Sequence, residues 1–437
     1  MKVEVEIVSN EIIKPSSPTP THLRHYELSF LDQTSPKTFN PLVFFYELND
    51  DHHNITEISN KIKKSLSEVL TLFYPLAGRV VKNDRFVDCN DEGIHYSVAR
   101  VNSSCRLSDA IKNSQPSDLS KFLPFKLYQQ TEFAVGVQLN VFEGGGIAIG
   151  LCILHLIADA LSCVTFVKTW VAISRGEADR VSRPEFVASA LFPPKDDPGF
   201  DANANMITTI VTKRFVFDGS AVEAIRSKYN EDTTKLKDQK PLSRVETLSA
   251  FIWGSIVAAT RDDNYAKSEN VYAAIHAVNL RRKLEPPLPE HSFGNLSRCS
   301  IAMFSGGVEY SGCELVRKIR EGIRNLDMDY LRKVQQEGDI NLSFVREYAR
   351  KLMMKGGKFT SFLFTSLCRF PLYEADFGWG EPAWVSSAAL CFTNLVVFMD
   401  TKTGNGIEAY IALKEEHMAK LEADQDFLKA TSSCVRY

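Results

Sequence analysis

Ile153-Leu154-His155-Leu156-Ile157-Ala158-Asp159 places an H-x-x-x-D inside the most apolar stretch of the chain. An imidazole in such a run can be shielded from bulk water while one ring nitrogen stays free, which suits a general base working near neutral pH. Of the nine histidines only His155 has Asp four residues on. The same residues also read as a core histidine satisfied by a nearby partner. Asp159 has two readings of its own: it orients the imidazole, as the acid of a Ser-His-Asp set does, or it turns away to a partner elsewhere. A covalent route finds little support nearby. Cys152 lies on an apolar strand with no basic neighbour to lower its pKa and reads as a small core residue. Ser162 lacks the G-x-S-x-G elbow of serine hydrolases.

The second chemical signal lies more than 200 residues downstream, in Asp376-Phe377-Gly378-Trp379-Gly380. A Trp between two glycines, followed by Glu381-Pro382, is incompatible with regular helix and reads as a sharply turned loop. Further segments fall in a fixed order: Tyr74-Pro75-Leu76-Ala77-Gly78-Arg79, Asp88-Cys89-Asn90-Asp91-Glu92-Gly93, Asn279-Leu280-Arg281 and Gly294-Asn295. With the single H-x-x-x-D and D-F-G-W-G, these make the chain resemble the plant BAHD acyltransferases, which move an acyl group from coenzyme A to an alcohol or amine. The start, Ile13 to Pro20, is similar to the branch that acetylates alkaloids.

The resemblance implies an α/β (α+β) fold of two similar lobes, each a mixed sheet with flanking helices, like chloramphenicol acetyltransferase and joined by a long crossover loop. It implies that 372–397 packs back onto the N-terminal lobe. It also implies acetyl-CoA or another acyl-CoA as co-substrate, with no permanently bound cofactor and no metal. In that reading His155 takes the acceptor's proton and later delivers it to the departing thiolate. Asp159 points away and pairs with Arg281, and Asp376, Gly378 and Trp379 support the channel on the coenzyme side. An acyl-sugar or amine acceptor and a non-catalytic carrier of the same fold are the competing functions. The chain departs from the family at Leu156, Ala160 and Glu381. If the position of Ala160 required positive φ, a Cβ there would cost about 1 kcal/mol.

The elements that must position these residues follow from periodicity. Ile58, Ile62, Leu66, Val69 and Leu70 recur at helical spacing behind the cap candidate Thr56. Alternation from Phe133 to Phe142 predicts a half-buried strand, and Gly144-Gly145-Gly146 turns it into a second strand, Ile147 to Leu154. His155 then stands at the exit of a buried strand, before a helix of about Ala158 to Ser174. Breakers around Phe192 to Gly199 predict a crossover linker over 184–212. The first lobe is then 1–183 with 372–397, and the second 213–371 with 398–437. Strand Arg214 to Phe217 opens that second lobe, followed by helices near Ser220 to Tyr229 and Glu246 to Ala259 and a strand near Val271 to Val278. Ser243-Arg244, just before the second of these helices, reads either as a coenzyme contact at a helix start or as a plain N-cap.

Bulk composition sets the remaining bounds. At 437 residues the chain exceeds the size at which one core stops growing, so two lobes and a cleft are expected. With 51 basic against 54 acidic residues, no global field points to nucleic acid or an anionic membrane. Nine cysteines without C-x-x-C fit neither a disulfide framework nor a zinc site, so a reducing, cytoplasmic setting is expected. No secretory signal is legible at Met1 to Glu6 and no lipidation signal at Cys434 to Tyr437. The apolar stretch Gly146 to Leu161 is shorter than the roughly 20 residues of a membrane span. A soluble monomer acting on small molecules is the resulting expectation.

Overall fold

The alternating Val135, Val137, Leu139 and Val141 form the strand Val135–Phe142, which pairs antiparallel with Ile147–Leu154. Gly145 and Gly146 close the turn between them at φ of 90° and 86°, a region glycine enters without a Cβ penalty. The polar positions of the strand do not face water: Gln138 and Asn140 are buried. Asn140 Nδ2 donates to the carbonyl of Phe122 (2.9 Å) and Gln138 Nε2 to that of Lys121 (3.1 Å). The strand expected to be half-buried is thus covered on both faces, its amides satisfied by the segment that crosses it.

The computed structural model describes residues 3–48, 54–81, 85–102, 104–196, 210–233, 241–261, 270–307, 309–338 and 340–431. The 197–209 part of the expected linker and the C-terminal Cys434 to Tyr437 lie outside the described residues. Two six-stranded mixed sheets organise the chain. The first runs, in spatial order, Val5–Ile13, Ile94–Val101, Val135–Phe142, Ile147–Leu154, Phe39–Tyr46 and Trp384–Ser386. The second runs Ser297–Ser305, Val271–Asn279, Phe359–Ser366, Leu395–Asp400, Ile407–Lys414 and Ile210–Phe217. A small third sheet joins His25–Glu27, Phe86–Asp88 and Arg79–Val80.

Helix Ile55–Leu72 buries Ile58, Ile62, Leu66, Val69 and Leu70, as its spacing predicts. Its cap is Asn54 rather than Thr56: the Asn54 Oδ1 accepts from the Thr56 N–H at 2.9 Å. The helix packs against Ala160–Ser174, and the Trp170 indole N–H donates to Ser65 Oγ at 2.9 Å across the contact. In the second lobe, helices Gly219–Thr233 and Arg244–Thr260 are each longer than their periodic cores, and the first strand begins at Ile210 rather than Arg214.

Among the described residues, two seams away from His155 join the lobes. Ala188 and Phe192, inside the stretch expected to be bare linker, flank the helical turn Ala188–Leu191. They share a buried cluster with Phe30, Leu31, Leu280, Leu284 and Leu296. The second seam is the return segment. Trp384–Ser386 adds to the edge of the first sheet beside Phe39–Tyr46, whereas Leu395–Asp400 already belongs to the second sheet, so 395–397 of the expected return segment sits there. Trp384 reaches across to donate to the buried Glu408 carboxylate at 3.1 Å, while Arg214 lies over its ring and 3.6 Å from the same carboxylate. Sharing one carboxylate between an indole from one sheet and a guanidinium from the other fixes their relative position.

Candidate active site

Strand Ile147–Leu154 ends one residue before His155, whose backbone N–H donates to the Thr38 carbonyl at 2.8 Å. The chain then turns and enters helix Ala160–Ser174 with Asp159 as its N-cap, the Asp159 Oδ1 accepting from Ser162 N–H at 2.8 Å. The helix therefore starts two residues later than Ala158, and Asp159 shares no helical face with His155. Ala160 has no positive φ, so the strain foreseen for its Cβ does not arise.

The His155 ring is half-buried. Its Nδ1 lies 3.2 Å from Asn295 Oδ1. The amide oxygen accepts, so the network puts the proton on Nδ1 and leaves the lone pair on Nε2. The Asn295 amide is held in that orientation because its Nδ2 donates to the His155 carbonyl (2.8 Å), the Leu156 carbonyl (3.1 Å) and Asp32 Oδ1 (2.9 Å). Burial lowers the His155 pKa below its ordinary 6.5, opposed by its own carbonyl, by the Asp159 charge and by Asn295. The ring is neutral at pH 7 and able to accept a proton at Nε2.

Asp159 meets Arg281 in a bidentate pair, Nη1–Oδ2 at 2.8 Å and Nη2–Oδ1 at 3.1 Å. Arg281 is fully buried. Its Nε donates to the Ser292 carbonyl (2.9 Å), while its Nη2 donates to the same carbonyl (2.8 Å) and to Ser162 Oγ (3.1 Å). The Leu296 N–H donates to Asp159 Oδ2 at 3.1 Å, and the Ser162 hydroxyl donates to the Gly294 carbonyl at 2.9 Å. The pair thus clamps segment 292–296 of the second lobe onto the first, and Asn295 in that segment delivers the contact to His155. The Asp159 carboxylate is engaged by Arg281, Ser162 and Leu296, and among the described residues none of its hydrogen bonds goes to the His155 ring.

The D-F-G-W-G loop folds back on the first lobe. Asp376 Oδ1 accepts from the Gly378 N–H (2.7 Å) and the Gly380 N–H (2.8 Å), while the two glycines take φ of 103° and 108°. Phe377 is buried with its ring 4.6 Å from Trp170 and 5.4 Å from Trp379, and its carbonyl accepts from Ser174 Oγ at 3.0 Å. Lys61 lies 5.6 Å over Trp379. The loop therefore anchors the C-terminal end of the helix whose N-cap is Asp159, and among the described residues it has no contact with His155.

Ser243 caps helix Arg244–Thr260 in a reciprocal box with Glu246. Arg244 is committed to Asp400 (2.9 Å) and to the carbonyls of Gly404 and Asn405. Burial pushes the thiols of Cys152 and Cys163 far above their ordinary range, which leaves them poor nucleophiles. Asn295 and Asp32 are the site residues the sequence reading did not find. Gly294-Asn295 stood out as a motif without a role, and nothing in Leu28 to Gln33 marks Asp32 beyond a short capping pattern.

A cavity of about 720 Å³ opens between helix Ala160–Ser174 and the second lobe, lined among others by Leu161, Thr165, Lys168, Asn279, Arg369 and Phe370. His155 is not among its lining residues. Along the helix its lining starts at Leu161, two residues beyond Asp159, and runs to Ala172, about 16 Å further on at 1.5 Å per residue.

Residues 3–428 match the model of the transferase family. Stemmadenine O-acetyltransferase of Catharanthus roseus is 37% identical over 97% of this chain and 97% of its own. A limonoid 1-O-acetyltransferase of Citrus sinensis is 35% identical over 98% and 99%. The crystal structure of vinorine synthase superposes with a TM-score of 0.81 at 33% identity, covering 99% of each chain. TRI101 of F. graminearum, solved with coenzyme A and T-2 mycotoxin, shares the fold at a TM-score of 0.73 and 17% identity.

Proposed function

The chain belongs to the plant BAHD acyltransferases, and on that premise we propose that it transfers an acetyl or other short acyl group from acyl-CoA to a hydroxyl of a specialised metabolite, an alkaloid or a related polycycle. The observation that carries this reading is the placement of His155 at the lobe junction, with Nδ1 held 3.2 Å from the Asn295 amide oxygen and burial holding its pKa below the ordinary value, which leaves Nε2 to meet a substrate hydroxyl.

With acyl-CoA and alcohol bound together, His155 Nε2 takes the hydroxyl proton as the oxygen attacks the thioester carbonyl. The tetrahedral intermediate collapses by breaking the C–S bond. The imidazolium returns its proton to the thiolate, leaving ester and free coenzyme A. No acyl-enzyme forms, in keeping with the inert thiols of Cys152 and Cys163. The contact of Nδ1 with the Asn295 amide oxygen fixes the ring before substrate arrives, so little reorganisation accompanies proton transfer.

The cavity beside helix Ala160–Ser174 is the proposed seat of the coenzyme's distal, anionic end. Of its five cationic side chains, Arg175 and Arg282 are paired with Glu177 and Glu290. Lys168, Arg180 and Arg369 have no ion pair among the described residues. One further carboxylate, Glu374, faces the same space. The excess of positive charge suits a phosphate-bearing ligand. Ser243 and Arg244 serve this seat indirectly, through the helix they cap and the Asp400 contact. The protein is proposed to work as a cytoplasmic monomer. No helix among the described residues is long and apolar enough to cross a membrane.

Incubation with acetyl-CoA and a panel of plant alcohols, reading thiol release and product mass, tests the reading. Thiol release dependent on an alcohol and accompanied by its ester supports it. Absence of any coenzyme A binding by the folded protein would remove it.

A further inference from the structure

Asp32 is fully buried, and its carboxylate meets four donors and no cation among the described residues. Oδ2 accepts from the Ser29 N–H (2.9 Å) and the Ser29 hydroxyl (2.6 Å). Oδ1 accepts from the Asn295 N–H (2.8 Å) and Asn295 Nδ2 (2.9 Å). A carboxylate buried without a counter-ion is costly, and a neutral polar residue or an apolar one would ordinarily be the more stable choice. Its presence there calls for a reason within reach of its four contacts.

We propose that Asp32 is a positioning residue that sets the tautomer of His155 by fixing which way the Asn295 amide faces. The reasoning rests on donor and acceptor inventory. An amide side chain has one end that only donates and one that only accepts. Asn295 sits between acceptors on one side, the Asp32 carboxylate and the carbonyls of His155 and Leu156, and the imidazole Nδ1 on the other. Because an ionised carboxylate cannot donate, it holds the NH2 end and turns the carbonyl end to His155. The ring then places its proton on Nδ1 and keeps Nε2 free for the acceptor's hydroxyl. Burial raises the Asp32 pKa to about 6, partly offset by its donors, so the carboxylate is ionised in the neutral range where the base must act.

The position of Asp32 in the chain fits this role. It sits in the one-turn helix Phe30–Gln33, which Ser29 caps, and that turn packs in the inter-lobe cluster through Phe30 and Leu31. Ser29-Asp32 from the first lobe, Asn295 from the second and His155 thus form one relay across the junction. Asn at position 32 would present an NH2 group to one pair of donors, either Ser29 or Asn295. Where it faces Asn295, the donor–donor conflict with Nδ2 favours a flipped Asn295 amide, which offers NH2 to Nδ1 and drives the proton to Nε2.

The inference rests on His155 acting as the base, and its test separates the two. Ring-¹⁵N-histidine NMR of the full chain at pH 7.5, with His155 identified by its loss in His155→Ala, reads the tautomer without any acceptor. The wild type is expected to show the Nδ1–H form as the dominant state, and Asp32→Asn a shift of roughly half or more of the population to Nε2–H. Alcohol-dependent thiol release from acetyl-CoA by Asp32→Asn should fall about 10-fold in kcat with KM for acetyl-CoA little changed, since ground-state binding is untouched. Ser29→Ala removes a cap but leaves the carboxylate on Asn295, so its tautomer should stay wild type. If Asp32→Asn does not fold, Asp32→Thr, whose hydroxyl accepts from only one Asn295 donor, takes its place in the same spectra. An unchanged His155 tautomer in a folded Asp32 variant overturns the inference. A dominant Nδ1–H form in the wild type without any acyl transfer would overturn the function while leaving the relay.

Discussion

At the scale of single residues, His155 is the proposed base and its neighbours are proposed to set its state. Replacing it by Ala is expected to lower turnover by roughly 10²–10⁴-fold, the usual worth of a general base. The fold and the affinity for coenzyme A should hold, as steady-state kinetics beside calorimetric binding will show. Its pH dependence has a definite sign. Because burial holds the His155 pKa below 6.5, the neutral form predominates at pH 7, so kcat/KM should be flat there and fall only in acid. A rate still climbing between pH 7.5 and 9 would assign the limiting proton to another group. The double variant Cys152→Ala/Cys163→Ala should lose packing but keep direct transfer, with intersecting double-reciprocal lines; parallel lines and an acyl increment on the wild-type protein would establish a covalent route. His155 was legible because its H-x-x-x-D stands inside an apolar run. Asn295 and Asp32 were not, because Asn295 reaches the ring from 140 residues away in sequence and Asp32 reaches Asn295 from 263 away, and no local period records such an approach.

At the scale of elements, the N-cap of helix Ala160–Ser174 and the loop behind its other end decide where His155 sits. Asp159→Ala or Arg281→Ala strands a buried charge, so each should cost about 3–5 kcal/mol in denaturant melts. The double substitution should cost less than the sum of the singles, because each single already forfeits the shared pair. Strict additivity would mean that the two side chains do not meet. Gly378→Ala should destabilise by about 1–3 kcal/mol through its positive φ, since the Lys61 ammonium facing the new Cβ is a flexible chain end that can move away. A melting temperature equal to wild type would show the loop is not the anchor described. Periodicity located these elements, yet placed the helix start at Ala158 and the earlier cap at Thr56. Caps are chosen by which side chain reaches a free N–H, and Asp159 and Asn54 do so one or two residues from where the apolar pattern begins.

At the scale of the whole molecule, function depends on two sheets held in register by seams that sequence order conceals. The expectation of two lobes came from length and from family likeness. The crossing of chain 384–386 onto the first sheet followed from likeness alone, since edge pairing leaves no periodic trace. The buried Gln138 and Asn140 show the limit of alternation: a polar residue on a strand reads as solvent-facing unless the segment that caps it is known. The seam through Trp384, Glu408 and Arg214 means that the lobes should not melt separately. Calorimetry of the full chain should give one cooperative transition, whereas two resolved transitions would show lobes that move independently and a site not fixed by their contact.

The most direct measurement is the pH profile of alcohol-dependent thiol release from acetyl-CoA by wild type and by folded His155→Ala, with the ester product followed by mass. The wild type should form ester and free coenzyme A together, flat at and above neutral pH and falling on the acid side below 6.5, while His155→Ala forms ester at least 10²-fold more slowly. Ester formation by His155→Ala at a rate close to wild type, or thiol release that needs no alcohol and leaves the acyl group on the protein, would contradict it.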